Sequence, residues 1–177
     1  TGRFTTSQLL PVLRDVCSAL DAAHGRQLVH RDLKPENIFL TRSSGRQSCK
    51  VLDFGIAKFF DAPSEMPTAD TAPGVLLGTP MYMSPEQRQG GPADPTWDLW
   101  ALSVVAYEML AGTHPFKELS PSHRPAGRVP ELSDLALLTP DAAVAWRTFF
   151  EKTFAADPQL RPRSAEQFQF ELDAVFA

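Results

Sequence analysis

WDLWALSVVAYEMLAG, residues 97–112, gives the clearest indication of how this chain folds. Its residues are apolar on nearly every helical face, which is typical of a helix buried at the centre of a protein. Gly112 and then Pro115 provide the stop signals expected just beyond such a helix. The sequence therefore predicts a buried central helix over about residues 97–111.

Other helices are predicted on either side of this central helix. Apolar residues recur at helical spacing over about residues 7–24, and Gly25 follows as a stop signal. Thr139-Pro140 predicts a helix start, because it combines an N-cap residue with a proline at the first helical position. Ser164 with Gln167 predicts a capping box for the last helix.

Two short runs rich in β-forming residues, 38–41 and 49–52, predict a hairpin joined by the polar loop RSSGRQS, residues 42–48. Prolines and glycines recur through residues 61–80, which predicts a long loop there. The pattern as a whole indicates a mainly α fold with a small β-hairpin.

Composition limits the kind of protein this can be. A chain of 177 residues with 43% hydrophobic residues can bury one sizeable core, so one compact domain is expected. A net charge of -4 does not favour binding to nucleic acid or to an anionic membrane surface. No apolar run is long enough to span a bilayer, and the first residues lack a signal-peptide pattern. With Cys17 and Cys49 predicted as buried, reduced thiols, a cytoplasmic location is expected, although the full-length protein could carry a membrane anchor outside this segment.

HRDLKPEN, residues 30–37, carries the chemistry. A carboxylate at Asp32 with the cation of Lys34 two positions later suits phosphoryl transfer, which needs a proton acceptor beside a charge that stabilises moving oxygens. Asn37 adds an oxygen ligand, and Asp53 follows a short apolar run that ends a strand. Because hard Mg²⁺ prefers such oxygen ligands, and the hairpin would bring Asn37 and Asp53 together, a magnesium site is predicted.

Three motifs of the chain resemble motifs of protein kinases and occur in the same order. HRDLKPEN resembles the catalytic loop, DFG at 53–55 the metal-binding turn, and GTPMYMSPE at 78–86 the end of the activation segment. The joint occurrence of these motifs in this order makes a chance match, such as a charged surface turn, uncompetitive. The chain most resembles the eukaryotic-like (Hanks-type) serine/threonine kinases of bacteria, and Lys34 with Thr79 resembles the serine/threonine-directed pattern. The resemblance extends to Asp98 and to the stretches LAGTHPF, 110–116, and DPQLRP, 157–162.

The resemblance implies a role for each matching residue in a partial kinase domain, with the catalytic loop at 30–37 and the activation segment at 53–86. Asp32 would be the catalytic base and Lys34 would contact the γ-phosphate of ATP. Asn37 and Asp53 would hold Mg²⁺. Phe39 would form the floor of the adenine pocket.

Five further residues receive structural roles from the resemblance. His30 and Phe54 would stack in a hydrophobic spine, and Asp98 would hold the backbone of the catalytic loop. Glu86 and Arg161 would form a buried ion pair, whose loss would destabilise the fold because one charge would remain buried alone.

The resemblance also implies control by phosphorylation. An arginine before the catalytic aspartate, here Arg31, usually binds a phosphate on the activation segment, and a guanidinium can do so bidentately. Thr68 and Thr71 are the acceptor residues that we favour, with Ser64 as an alternative. Thr79 would lie on the substrate side and contact the catalytic aspartate.

The sequence contains no G-x-G-x-x-G and no lysine in a V-A-I-K-like strand, so it resembles the large C-terminal lobe of a kinase without the N-terminal β lobe. We therefore expect an ATP-dependent serine/threonine protein kinase whose missing lobe lies upstream, which phosphorylates proteins including itself and which is inactive as this fragment alone. A non-catalytic kinase-like binding module and a stand-alone interaction lobe remain as alternatives, and the latter would expose an apolar face.

Overall fold

A long helix, α3, runs through the centre of the fold from Thr96 to Ala111. The computed structural model describes residues 4–43, 46–54, 80–90, 92–116 and 138–176. Trp97 and Trp100 are buried, as is almost every other side chain of the helix, which confirms the prediction of a central buried helix. Gly112 ends it with a positive φ of 71° that favours glycine, and its N–H donates to the Glu108 carbonyl at 2.8 Å.

The first helix, α1, spans Thr6–His24 and packs against both α3 and the β-hairpin. It begins where the Thr5 N–H donates to Oε1 of Gln8 at 2.9 Å. Apolar residues along one face are fully buried, in agreement with the helical spacing. From the same helix, Asp15 Oδ2 accepts the Cys49 N–H at 2.8 Å and ties the helix to the hairpin.

The β-hairpin consists of β1, Ile38–Ser43, and β2, Arg46–Val51, in antiparallel register with Ile38 opposite Val51. The hairpin was predicted, but the loop assigned to residues 42–48 was wrong, because the strands extend to Ser43 and resume at Arg46. Backbone pairing does not require apolar side chains, so polar residues can continue the two-stranded ladder beyond Thr41.

The described residues include three further α-helices: α2, Pro85–Arg88, α4, Pro140–Thr153, and α5, Ala165–Ala174. The predicted cap of α4 is confirmed, since Thr139 Oγ1 accepts the Ala142 N–H. The capping box predicted for α5 is only half formed. Ser164 Oγ accepts the Gln167 N–H, but Oε1 of Gln167 accepts from Arg163 instead of from Ser164.

The two cysteines differ in their surroundings. Cys17 is buried in the core, and burial raises the pKa of its thiol to about 12. Cys49 was also predicted to be buried, but it is only partly so, because it packs against the core from β2 rather than within it. Partial burial and the neighbouring Asp15 carboxylate still raise its pKa to about 11.

The described part of the chain is mainly α-helical with one two-stranded sheet, which confirms the predicted fold class. Within those residues, no helix combines the length and the hydropathy needed to cross a membrane.

Candidate active site

The loop of residues 30–37 brings a cation and a carboxylate into direct contact. Lys34 Nζ donates to Asp32 Oδ2 at 2.7 Å, and both side chains remain partly accessible to solvent. A partly exposed pair of this kind contributes little to stability, so its placement is not explained by folding alone. It can provide an acceptor for a hydroxyl proton beside a positive charge.

Asn37 links this pair to the turn at Asp53. Its Nδ2 donates to the Asp32 carbonyl at 2.8 Å, so the amide is oriented and Oδ1 is the atom that remains for a cation. At the base of the hairpin, the Leu52 N–H donates to the Asn37 carbonyl at 2.8 Å. This contact brings the next residue, the exposed Asp53, to the same end of the hairpin as Asn37. A carboxylate and an amide oxygen are a donor set that fits Mg²⁺, which keeps water or phosphate oxygens as its other ligands.

Asp98, from the first turn of α3, holds the backbone that leads into Asp32. It is 1% exposed, and its two oxygens accept the N–H groups of His30 and Arg31, each at 2.8 Å. His24, at the end of α1, approaches the same carboxylate with Nε2 at 2.8 Å from Oδ2. A buried carboxylate of this kind is stabilised by several donors, two of which are the amides that it positions.

Arg31 and Asp53 both adopt the left-handed backbone conformation, with φ of 68° and 62°. Such values are costly for residues other than glycine, and they persist only where surrounding contacts hold them. For Arg31 the contacts include Asp98, which accepts its N–H, and Gln87, whose Nε2 donates to its carbonyl at 2.7 Å. Gln27, outside the site, shares this conformation with φ of 59°, so left-handed backbone occurs at the turns next to Asp32 and at Asp53 but is not confined to them.

His30 joins the catalytic loop to the metal-binding turn through its imidazole. Nε2 lies 2.8 Å from the Leu52 carbonyl, while Nδ1 faces the Asp32 N–H at 3.3 Å. This pattern assigns a neutral ring with its proton on Nε2. The ring of Phe54 packs edge-on against it, with centroids 4.9 Å apart. His30 and Phe54, which the resemblance paired, are thus in contact.

Phe39, the residue expected to face adenine, is an exposed side chain of β1. Its side chain is 59% exposed, and Leu40 and Leu52 are each 41% exposed. Large apolar side chains with this exposure, close to the polar groups of the loop, suit a ring ligand or a covering protein surface.

Glu86 and Arg161, the predicted ion pair, are in direct contact. Arg161 is buried, its Nε also donates to the Ala155 carbonyl at 2.8 Å, and its guanidinium lies 4.6 Å from the ring centre of Trp100. These contacts attach α2 to the core beneath it. The hydroxyl of Ser84 caps α2 by accepting the Gln87 N–H at 3.1 Å.

Some predicted site residues lie outside the described residues: Ser64, Thr68, Thr71, Thr79 and the glycine of DFG. Arg31, the residue predicted to bind a phosphate, lies within the described residues, and its backbone is held by Asp98 and Gln87. The predicted residues that the structure brings to one end of the hairpin are Asp32, Lys34, Asn37 and Asp53 together with His30 and Phe54.

Comparison with known proteins decides the family. Residues 1–170 match the family described as the protein kinase domain. This chain belongs to the protein kinase family. As a kinase lobe, it is 39% identical over 181 residues to the serine/threonine-protein kinase pkn3 of Myxococcus xanthus, with 95% of the chain and 31% of that relative covered. It is 36% identical over 180 residues to the serine/threonine-protein kinase PknA of Mycobacterium tuberculosis, with 100% and 39% covered.

Solved kinase structures resemble the whole lobe. The PknI kinase domain of Mycobacterium tuberculosis matches with a TM-score of 0.70 and 26% identity, covering 99% of this chain and 58% of that chain. This lobe therefore corresponds to somewhat more than half of a solved kinase domain, and to well under half of the curated relatives. The comparison supports a partial kinase fold.

Sequence reasoning missed several contacts around the kinase site. The motifs in the sequence do not include His24, yet it contacts Asp98. Tyr82 donates its hydroxyl to Glu108 Oε2 at 2.7 Å. Partial burial raises the pKa of Glu108, and the Glu36 carboxylate raises it further, while the Tyr82 hydrogen bond opposes the shift. The position of Tyr82 between Met81 and Met83 in a recognised motif was the available signal, but its partner on α3 could not be read from the motif.

Proposed function

We propose that this chain is the catalytic lobe of an ATP-dependent serine/threonine protein kinase, which transfers the γ-phosphoryl group to serine or threonine hydroxyls of proteins. The observation that supports this most directly is the Lys34–Asp32 contact of 2.7 Å on a loop whose backbone amides are bound by Asp98. Phosphoryl transfer depends mainly on positioning and on electrostatic stabilisation, and this loop supplies groups for both.

Asp32 acts on the acceptor hydroxyl, and Lys34 acts on the phosphoryl group that is transferred. The Asp32 carboxylate orients the acceptor hydroxyl and takes up its proton as the oxygen attacks phosphorus. The ammonium of Lys34 lies near enough to offset negative charge on the transferred oxygens, and its contact with Asp32 keeps both groups in one arrangement.

Asn37 and Asp53 are the proposed Mg²⁺ ligands. Bound Mg²⁺ neutralises charge on the phosphate oxygens of ATP. Asn37 is almost fully buried and is oriented by its hydrogen bond to the Asp32 carbonyl, whereas Asp53 is exposed and accessible to a hydrated ion. The exposed side chain of Phe39 would lie against adenine.

Activity requires a second lobe in this proposal. The Gly-rich loop and the nucleotide-anchoring lysine are not among these residues, so ATP would be held from one side only and this fragment alone would be inactive. The exposed side chain of Phe39 fits a position that the nucleotide and the N-terminal lobe would cover. We place the activity in the cytoplasm.

Phosphorylation of the activation segment, residues 53–86, would regulate the enzyme. Arg31 is the proposed ligand of a phosphate on Thr68 or Thr71, with autophosphorylation as the source. Thr79 would contact the catalytic aspartate from the substrate side.

Intact-mass spectrometry tests the proposal on the complete protein with its native upstream segment, incubated with Mg-ATP and a generic protein substrate. The wild type should gain mass in steps of one phosphate, and Asp32→Asn should gain none. Asp141→Asn, which alters an exposed carboxylate in the first turn of α4, is the matched control and should behave like the wild type. A folded wild type that transfers no phosphate would refute the proposal in favour of a non-catalytic kinase-like module.

A further inference from the structure

His114 connects the end of the central helix to the segment of residues 80–84. Its Nε2 lies 3.1 Å from the Met81 carbonyl, and its Nδ1 accepts the Phe116 N–H at 3.0 Å. Since Nδ1 accepts, the ring is neutral with its proton on Nε2, and Nε2 donates to Met81. The imidazole therefore bridges two backbone groups from separate parts of the chain.

Packing around the imidazole fixes its position relative to the core. The Tyr82 ring meets it edge-on with centroids 5.5 Å apart, and the Phe116 ring lies at 6.0 Å. Phe116 is 2% exposed and stacks on Trp100, which belongs to α3. Through Phe116, His114 is attached to the buried core around α3.

The segment that His114 holds lies beside the catalytic loop. Gln87, just beyond this segment, donates through Nε2 to the Arg31 carbonyl at 2.7 Å. A displacement of Met81 would therefore shift the surface beside the catalytic loop, next to the groups that would contact the acceptor side chain.

We propose that His114 is a positioning residue for the protein substrate. By donating to the Met81 carbonyl it sets the position of residues 80–84 relative to Asp32, and so it controls the affinity for the acceptor peptide without touching ATP. This inference rests on the proposed kinase function.

Three substitutions separate the two hydrogen bonds of the ring. His114→Gln can place an amide N–H near the position of Nε2 and keep the bond to Met81. His114→Asn can place an oxygen near the position of Nδ1, which keeps only the bond from Phe116. His114→Ala removes both.

Steady-state kinetics on the complete protein, with an acceptor peptide varied at saturating Mg-ATP, tests the proposal. A lost hydrogen bond of ordinary strength should raise the peptide KM about tenfold in His114→Ala and His114→Asn. KM for ATP and kcat at saturating peptide should stay near wild-type values, and His114→Gln should restore the peptide KM. Thr113→Ala, at the preceding residue, is the matched control and should leave the peptide KM unchanged.

Hydrogen exchange on the same proteins distinguishes a local shift from unfolding. Residues 80–90 should exchange faster in His114→Ala and His114→Asn than in His114→Gln, while α1 should keep its protection in all of them. If the wild type is active but His114→Gln is as impaired as His114→Ala, the proposed role of His114 is overturned. The proposed kinase function is unaffected by that result. A wild type that transfers no phosphate refutes the proposed function, and the substrate role with it.

Discussion

Replacing Asp98 by asparagine should destabilise the lobe and disable the catalytic loop at once. The carboxylate is 1% exposed and accepts the Arg31 N–H at Oδ1 and the His30 N–H at Oδ2, with His24 also at Oδ2. Asparagine has the same shape but offers only one oxygen. In either orientation of the amide, its NH₂ group faces a backbone N–H, so one buried donor loses its acceptor.

The cost of Asp98→Asn follows from these contacts. A hydrogen bond to a charged group contributes about 1.5–3 kcal/mol, and a buried donor left without a partner adds a comparable penalty, so we expect a loss of about 3 kcal/mol. That loss corresponds to roughly a hundredfold change in the unfolding equilibrium constant. Because the same contacts hold the left-handed Arg31 backbone, kcat should fall as well.

Urea denaturation measures this loss conveniently, since the three tryptophans of the chain give a fluorescence signal for unfolding of this lobe. Asp141→Asn is the matched control, because its carboxylate is exposed on α4 and it should cost less than about 0.5 kcal/mol. A loss below about 1 kcal/mol for Asp98→Asn would refute the reasoning that this carboxylate is buried and holds the loop.

Three further predictions concern buried charges and thiols. Glu86→Gln should lower the free energy of unfolding in urea by about 3 kcal/mol, because it leaves the buried guanidinium of Arg161 without its carboxylate; a loss below about 1 kcal/mol would contradict this. Neither Cys17 nor Cys49 should react with a thiol reagent at pH 8 in the folded chain, since their pKa values are raised to about 12 and about 11, whereas both should react in urea. Burial raises the Glu108 pKa above 4.5, so the folded state binds that proton more tightly than the unfolded chain and loses stability as pH rises above 4.5. Denaturation at several pH values should therefore show a shallower decline for Glu108→Gln, and an unchanged slope would contradict the burial of this carboxyl.

Sequence patterns predicted the elements that bury continuous apolar surface. The central helix was recognisable because its residues are apolar all round, and the hairpin because two β-rich runs flank a polar stretch. The far end of the hairpin could not be recognised from the sequence. The polar residues after Thr41 pair through their backbones and show no alternation of apolar and polar side chains.

Motif order likewise predicted which residues of the site would gather, including the Glu86–Arg161 pair. It could not predict partners that are far apart in sequence and belong to no common motif. His24 reaches Asp98 across 74 positions and His114 reaches Met81 across 33, and both contacts depend on how α3 packs against its neighbours. Periodicity within one element carries no information about such pairs.

The base of the hairpin explains why the distance along the chain between the two turns of the site need not be fixed. Leu52 donates its N–H to the Asn37 carbonyl and accepts from His30 Nε2 through its own carbonyl, each at 2.8 Å. These two bonds close the loop at its neck, so the number of residues at the tip, around 44–45, does not set the separation of the turns. Homologous genes could therefore gain or lose codons at this tip, and a reporter peptide could be inserted there, while the neck keeps its geometry.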